Sequence, residues 1–252
     1  MFLSQRATQA EYCDRPDLPV SEVADNYRQL ARFNRLLLVT DPFQRLLVRW
    51  LGRGRVKKLS MLDLGAGDGS IGRSIEAWAR RRGWDWRVTN LDLNVGALRL
   101  NPGGRNVAGA VGAVGALPFA DDSFDVVIAS QMTHHLTDEE AAQHFREAWR
   151  VTRDALFLTD AHRNAGALAV IWLVLRLMRV PPQFLSDGML SVRRSWRVGE
   201  WRELAACAGI PCGRVWLYYG SRVMLQARKP RQMVSGPQVL SFEPQREATV
   251  AR

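Results

Sequence analysis

Lysine is nearly missing from this chain of 252 residues, occurring only at Lys57, Lys58 and Lys229. The formal charge of +10 therefore rests on scattered arginines. No compact basic run interleaved with aromatics is present, so charge alone is a weak argument for nucleic acid. Cysteine is as scarce: Cys13, Cys207 and Cys212 include no Cys-x-x-Cys pair. That argues for reduced thiols in a cytoplasmic protein rather than a disulfide framework or zinc site, and no metal is expected. Any apolar run of about 20 residues, the length a bilayer requires, is also missing. The stretch Met1-Phe2-Leu3-Ser4-Gln5-Arg6 lacks the long apolar core of a secretory signal. What remains is a chain with 47% apolar residues, long enough for one good-sized domain with an embellishment.

The sequence is organised around Lys58-Leu59-Ser60-Met61-Leu62-Asp63-Leu64-Gly65-Ala66-Gly67-Asp68-Gly69-Ser70-Ile71-Gly72. A short apolar run stops at glycines on alternate positions and a helical pattern (Ile71, Ile75, Trp78, Ala79) follows at once, which predicts strand, tight loop and helix. Glycines suit a loop that lets a ligand approach the main chain, while the helix start offers free N–H groups. Gly67-x-Gly69-x-x-Gly72 fits a dinucleotide fingerprint, but in that fingerprint the first glycine closes the strand. Here Gly65 closes it and Asp63 stands two places earlier; an acid there suits an ammonium or sulfonium ligand better than a pyrophosphate. This stretch resembles the first motif of the class I S-adenosylmethionine-dependent methyltransferases.

Trp86–Asp92 reads as a buried strand ending in a carboxylate about 20 residues past the last glycine, where nucleotide-binding folds place the acid that bonds ribose hydroxyls. A weak strand is expected over Val107–Val111. Leu117-Pro118-Phe119, the turn Asp121-Asp122-Ser123 and the strand Phe124–Ala129 follow. They resemble the small-molecule methyltransferase subgroup that includes the quinone-biosynthesis enzymes. Relatives with this signature usually carry an adenine-binding aspartate four places before the Leu, where this chain has Ala113. Adenine would then rest on backbone near Ala113 and Val114 and on apolar stacking, with Leu93 a candidate. The cofactor residues implied are Asp63, Gly65, Ala66, Gly67, Gly69, Asp92, Leu93, Ala113, Val114 and Ser130.

Directly after the Phe124–Ala129 strand comes Gln131-Met132-Thr133-His134-His135-Leu136-Thr137-Asp138. Carboxyl ends of parallel strands line the ligand crevice, and histidine suits proton removal from a phenol or enol at neutral pH. His134 and His135 are thus candidate bases, unranked by the sequence. A helix Asp138–Val151 and a strand Ala155–Thr159 lead to Asp160-Ala161-His162-Arg163. Asp160 would orient a histidine, bind the acceptor or cap a helix, and His162 is a second-rank base. The apolar run Gly166–Leu175 reads as a lid over a greasy pocket, with interfacial membrane contact as the alternative. Pro181-Pro182 should break that helix, and Asp187-Gly188 reads as a turn before the pair Arg193-Arg194, substrate-binding or solvated. Together with the N-terminal helices and Asp160-x-x-Arg163, this segment resembles methyltransferases found alongside type III polyketide synthases.

Upstream, residues 1–20 read as a loose arm. A helix N-capped by Ser21 and a second after Asp41-Pro42, ended by Gly52 and Gly54, would cap the cofactor cleft or cover the sheet edge. Downstream, a helix Val198–Ala208 precedes the strands Arg214–Tyr219 and Arg222–Ala227, which suit a hairpin. The resemblance implies a Rossmann-like α/β fold: a seven-stranded, mostly parallel sheet with helices on both faces, a final antiparallel hairpin, N-terminal helices over 1–55, a domain over 56–229 with a helical lid insertion at 164–196, and a disordered tail over 230–252. The activity implied is methyl transfer from S-adenosylmethionine to a hydrophobic small molecule. The alternatives are an RNA methyltransferase or a non-catalytic S-adenosylmethionine-binding protein. Signatures of RNA enzymes are missing: the strand ends Ser130-Gln131-Met132, and no cysteine lies near the crevice in sequence.

Overall fold

The computed structural model describes residues 3–15, 17–51, 57–101, 103–211 and 213–229. Gly52, Gly54, Cys212 and the tail 230–252 lie outside them. The elements in chain order are α1 (Val20–Leu36), α2 (Asp41–Leu51), β1 (Lys58–Leu64), α3 (Ser70–Arg80), β2 (Asp85–Asp92), α4 (Val95–Arg99), β3 (Val107–Val111), β4 (Phe124–Ser130), α5 (Asp138–Val151), β5 (Thr152–Ala161), α6 (Ala165–Leu177), α7 (Pro182–Arg194), α8 (Val198–Cys207), β6 (Arg214–Tyr218) and β7 (Arg222–Arg228).

The strands form one seven-stranded sheet in the order β3-β2-β1-β4-β5-β7-β6. All neighbours are parallel except β5 with β7 and β7 with β6, so the sheet ends in the expected antiparallel hairpin. Strand alternation sends side chains into two cores. Leu62, Leu64, Val127, Ala129, Leu156 and Leu158 meet Phe145 of α5 and Trp201 of α8. Leu59, Met61, Val126, Ile128 and Phe157 meet Phe43 of α2 and Ile75 and Trp78 of α3. The carboxyl ends of β1, β2, β4 and β5 thus reach one edge of the sheet, where the crevice of a doubly wound fold lies. No described helix is long and apolar enough to cross a membrane.

Three local expectations are corrected. Ser21 is not a cap: α1 begins one residue earlier, with Pro19 at its N-cap and Ser21 inside the first turn. Asp187-Gly188 is not a turn but mid-helix in α7. Gly188 serves packing there, since a Cβ on it would stand 2.5 Å from Leu175 Cδ1 of α6. Nor is the N-terminal arm loose over its described residues. The Ala7 N–H donates to Arg193 O (3.0 Å), Arg6 bonds to Arg194 O (2.7 Å) and Leu136 O (2.9 Å), and buried Arg163 donates to Leu3 O (3.1 Å).

Candidate active site

At the end of β1 the chain turns through Gly65 and Gly67, both left-handed (φ 64° and 57°). Side chains are excluded at both for lack of space as well. A Cβ on Gly65 would stand 2.8 Å from Met132, and one on Gly67 2.6 Å from the Tyr27 ring of α1. The first N-terminal helix therefore lies on the glycine loop, while α2 packs Phe43 and Leu47 into the core under the sheet. Burial there holds the Tyr27 hydroxyl protonated, with Asp92 adding to the upward shift. The Ala66 N–H is taken by Leu91 O (3.0 Å), tying the loop to β2.

Asp92, half-buried at the end of β2, accepts the Gly67 N–H on Oδ2 (2.7 Å) and the Asn94 N–H on Oδ1 (2.8 Å). Each oxygen keeps a second lone pair, enough to receive a diol. Asp63 is buried; desolvation pushes its carboxyl up to about 8, against the opposing pull of the Gly72 N–H in the first turn of α3. Asp63 Oδ2 and Ser130 Oγ are buried without a hydrogen-bond partner among the described residues. Leu93 beside Asp92 is 71% exposed and Ala113 is exposed, its carbonyl taken by the Ala116 N–H (3.1 Å), so an apolar face stands where adenine would stack. An acid placed for a diol, two orphaned polar atoms and a loop too tight for side chains fit an S-adenosylmethionine cradle.

The histidine pair lies one strand over, in a single 3-10 turn after β4. Gln131 enters it with φ 58°. His134 is buried, its N–H donating to Asp160 Oδ2 (2.8 Å) and its Nδ1 standing 2.7 Å from Asp160 Oδ1. Burial disfavours charge on both groups, yet their mutual attraction prevails: the imidazole is raised and the carboxyl, which also accepts the Ala161 N–H, is lowered. Of the three roles expected for Asp160, the one its contacts match is that of a partner to His134. The His135 ring lies 4.2 Å from that of His134, and its side chain is 31% exposed. The structure separates the pair: His134 is fixed inside, His135 faces out.

His162 does not join them. Burial lowers its imidazole, its Nδ1 lies 2.6 Å from Asn164 Nδ2, and Asn164 Nδ2 also bonds Gly220 O of the β6–β7 turn. Residues that sequence reasoning missed do join. Glu11 Oε1 stands 3.5 Å from His134 Nε2, and Asp14 Oδ1 stands 2.9 Å from His135 Nδ1. Arg194 of α7 pairs with Asp14 (2.9 Å) and donates to His134 O (3.1 Å) and His135 O (3.0 Å). It is a buried tie rather than a solvated cation. No local pattern marks Glu11 or Asp14, because their partners lie far along the chain.

Residues 62–157 match the family model described as a methyltransferase domain, over the strands and loops that build this crevice. Those residues carry a methyltransferase domain, and the sheet around them has the fold of S-adenosylmethionine-dependent methyltransferases. The chain is a methyltransferase. This methyltransferase is similar to an S-adenosylmethionine-dependent methyltransferase from Aquifex aeolicus, at 19% identity and a TM-score of 0.58, over 84% of this chain and 99% of that one. It is similar too to an O-methyltransferase family 2 protein from Planctomyces limnophilus DSM 3776, solved in complex with apigenin. There the identity is 16% and the TM-score 0.58, over 85% of this chain and 63% of that one. No curated protein matches the methyltransferase.

Proposed function

We propose that this methyltransferase O-methylates a hydrophobic phenol or enol, such as an alkylated resorcinol, pyrone or quinol, at the His134–His135 pair. The observation that carries the reading is an apolar groove on the two helices that follow the Asp160 strand. It has a volume of about 500 Å³ between α6, α7 and the arm, and is lined by Trp172, Leu185, Met189 and Leu190. Its polar rim includes Gln9, two residues before Glu11, and Arg193, next to Arg194. A polar head at the histidines would leave its tail for the groove.

When bound, S-adenosylmethionine supplies a methyl carbon made electrophilic by its sulfonium. The chain must align the acceptor oxygen with that carbon and take the proton from it. In this reading His135, the more exposed ring, receives the proton, while Asp160 holds His134 and with it the turn that carries both. Burying ten methylenes would contribute up to about 8 kcal/mol before ordering costs, enough to select long tails. Such acceptors belong to polyketide-type secondary metabolism, consistent with the resemblance to enzymes found alongside polyketide synthases. The apigenin complex of the Planctomyces limnophilus protein supports a phenolic acceptor by analogy only.

The test uses labelled donor and a series of resorcinols that differ in alkyl length. kcat/KM should climb with the tail, and the product should carry the label on oxygen. Equal turnover of short polar phenols would make the apolar helices a membrane or partner contact instead, and a ring-carbon methyl would overturn O-methylation.

A further inference from the structure

We infer that Glu11, His134 and His135 form a binding site for one divalent ion of the zinc class, built jointly by the N-terminal arm and the turn after β4. One ring nitrogen of each histidine and one Glu11 oxygen lie within 4.8 Å of one another. Glu11 and His134 are 4% and 3% exposed, so these are not surface groups that happen to be near each other. The inference goes beyond the acceptor proposed above and does not depend on it.

Three features favour an ion over a plain Glu–His contact. The 3.5 Å between His134 Nε2 and Glu11 Oε1 is longer than a good N–H···O hydrogen bond. It is close to the edge, about 3.4 Å, of a tetrahedron with metal–ligand bonds of about 2.1 Å. Next, Asp160 engages Nδ1 of His134 at 2.7 Å and leaves Nε2 to face Glu11. Metal-bound histidines almost always present their other nitrogen to a carboxylate or carbonyl in this way. His135 likewise has its Nδ1 against a carboxylate, that of Asp14, which Arg194 fixes in turn. Finally, Glu11 is itself positioned, with the Ser191 hydroxyl donating to Oε1 at 2.9 Å. The Arg194 guanidinium is 3.9 Å from the same oxygen, but its nearer partner is Asp14.

Two imidazoles and a carboxylate suit zinc, cobalt, nickel or ferrous iron rather than magnesium or calcium. Three protein ligands leave a fourth position open. An acceptor O–H entering it would be acidified as a bound water is, its proton leaving to solvent, so the ion would take over the proton removal assigned to His135. The scarcity of cysteine argued against a metal in the sequence; that argument does not reach a site whose carboxylate ligand lies far along the chain from its histidines.

The experiment is titration of the full chain, stripped with chelator, with Co²⁺ followed by its visible ligand-field absorption, then competition with Zn²⁺ and elemental analysis after gel filtration. One ion per chain and a tetrahedral Co²⁺ band are expected. Glu11→Gln and His134→Ala should each weaken binding at least ten-fold, and Asp160→Asn about ten-fold. Circular dichroism and S-adenosylhomocysteine calorimetry check that each variant is folded. The inference is overturned if no stoichiometric ion is retained, or if folded Glu11→Gln binds Co²⁺ as tightly as the parent. Acceptor turnover in the stripped chain is read separately. Full activity without ion would leave the histidine-base reading standing whatever the titration shows.

Discussion

Asp63 at the end of β1 carries a consequence for cofactor binding. Its acid was expected to attract a cation, yet burial raises its carboxyl to about 8, so in the ligand-free chain it is protonated at neutral pH. The folded value lies above the ordinary 3.8, so the ligand-free protein should lose stability as pH rises from 3.8 toward 8. A sulfonium or ammonium brought close would favour the ionised form. Binding of S-adenosylmethionine at pH 7 should therefore release close to one proton, and affinity should tighten as pH approaches 8. Calorimetry in two buffers of different ionisation enthalpy measures this; zero release, or the same release from Asp63→Asn, would sink it. Asp92→Ala should weaken the donor by about 2 kcal/mol through lost ribose bonds, again read by calorimetry. Both acids were legible in the sequence because each ends a strand at a fixed offset from the glycines. Tyr27 and Glu11 were not, since each acts on residues brought near only by the fold.

Among the elements, α6 and α7 show where local signals mislead. The apolar run was legible, and α6 does bury Ala167, Ile171 and Leu175 against Val192 of α7. It also leaves Val170, Leu173 and Leu177 exposed at 47%, 51% and 71%. The pair Asp187-Gly188 has turn chemistry in isolation, but a helix started by Pro182 in its first turn overrides it. Gly188 lets α6 approach closely, and Asp187 accepts the Tyr12 and Cys13 N–H groups (2.8 and 3.0 Å). Gly188→Leu should therefore force the two helices apart, costing about 1–3 kcal/mol. Because the groove lies between them, acceptor KM should rise several-fold while S-adenosylhomocysteine affinity holds. A fall in both together would mean that the helix pair supports the whole domain rather than the acceptor end.

Across the whole molecule, the sheet and its helices could be anticipated from strand–helix alternation, because each element's apolar period records the core that it faces. The arm could not. It is polar and carries prolines, which reads as disorder when its partners are unknown. In the fold it joins the His134–His135 turn, Arg163 and α7, so the end proposed to take the acceptor is assembled from both ends of the domain while the proposed cofactor cradle comes almost wholly from β1 to β4. These two halves should be separable. Asp187→Ala removes the carboxylate that holds the Tyr12 and Cys13 backbone, an expected loss of about 1 kcal/mol or more from the unpaired N–H groups. Hydrogen exchange over residues 7–15 should quicken, and acceptor turnover should fall at least ten-fold as Glu11 and Asp14 leave the histidines. Donor binding should stay within about two-fold, since Tyr27, Gly67 and Asp92 lie outside the released segment and a change of that size is under 0.5 kcal/mol. Unchanged turnover with a quickened arm would show that Glu11 and Asp14 are a cover, and that His135 works without them.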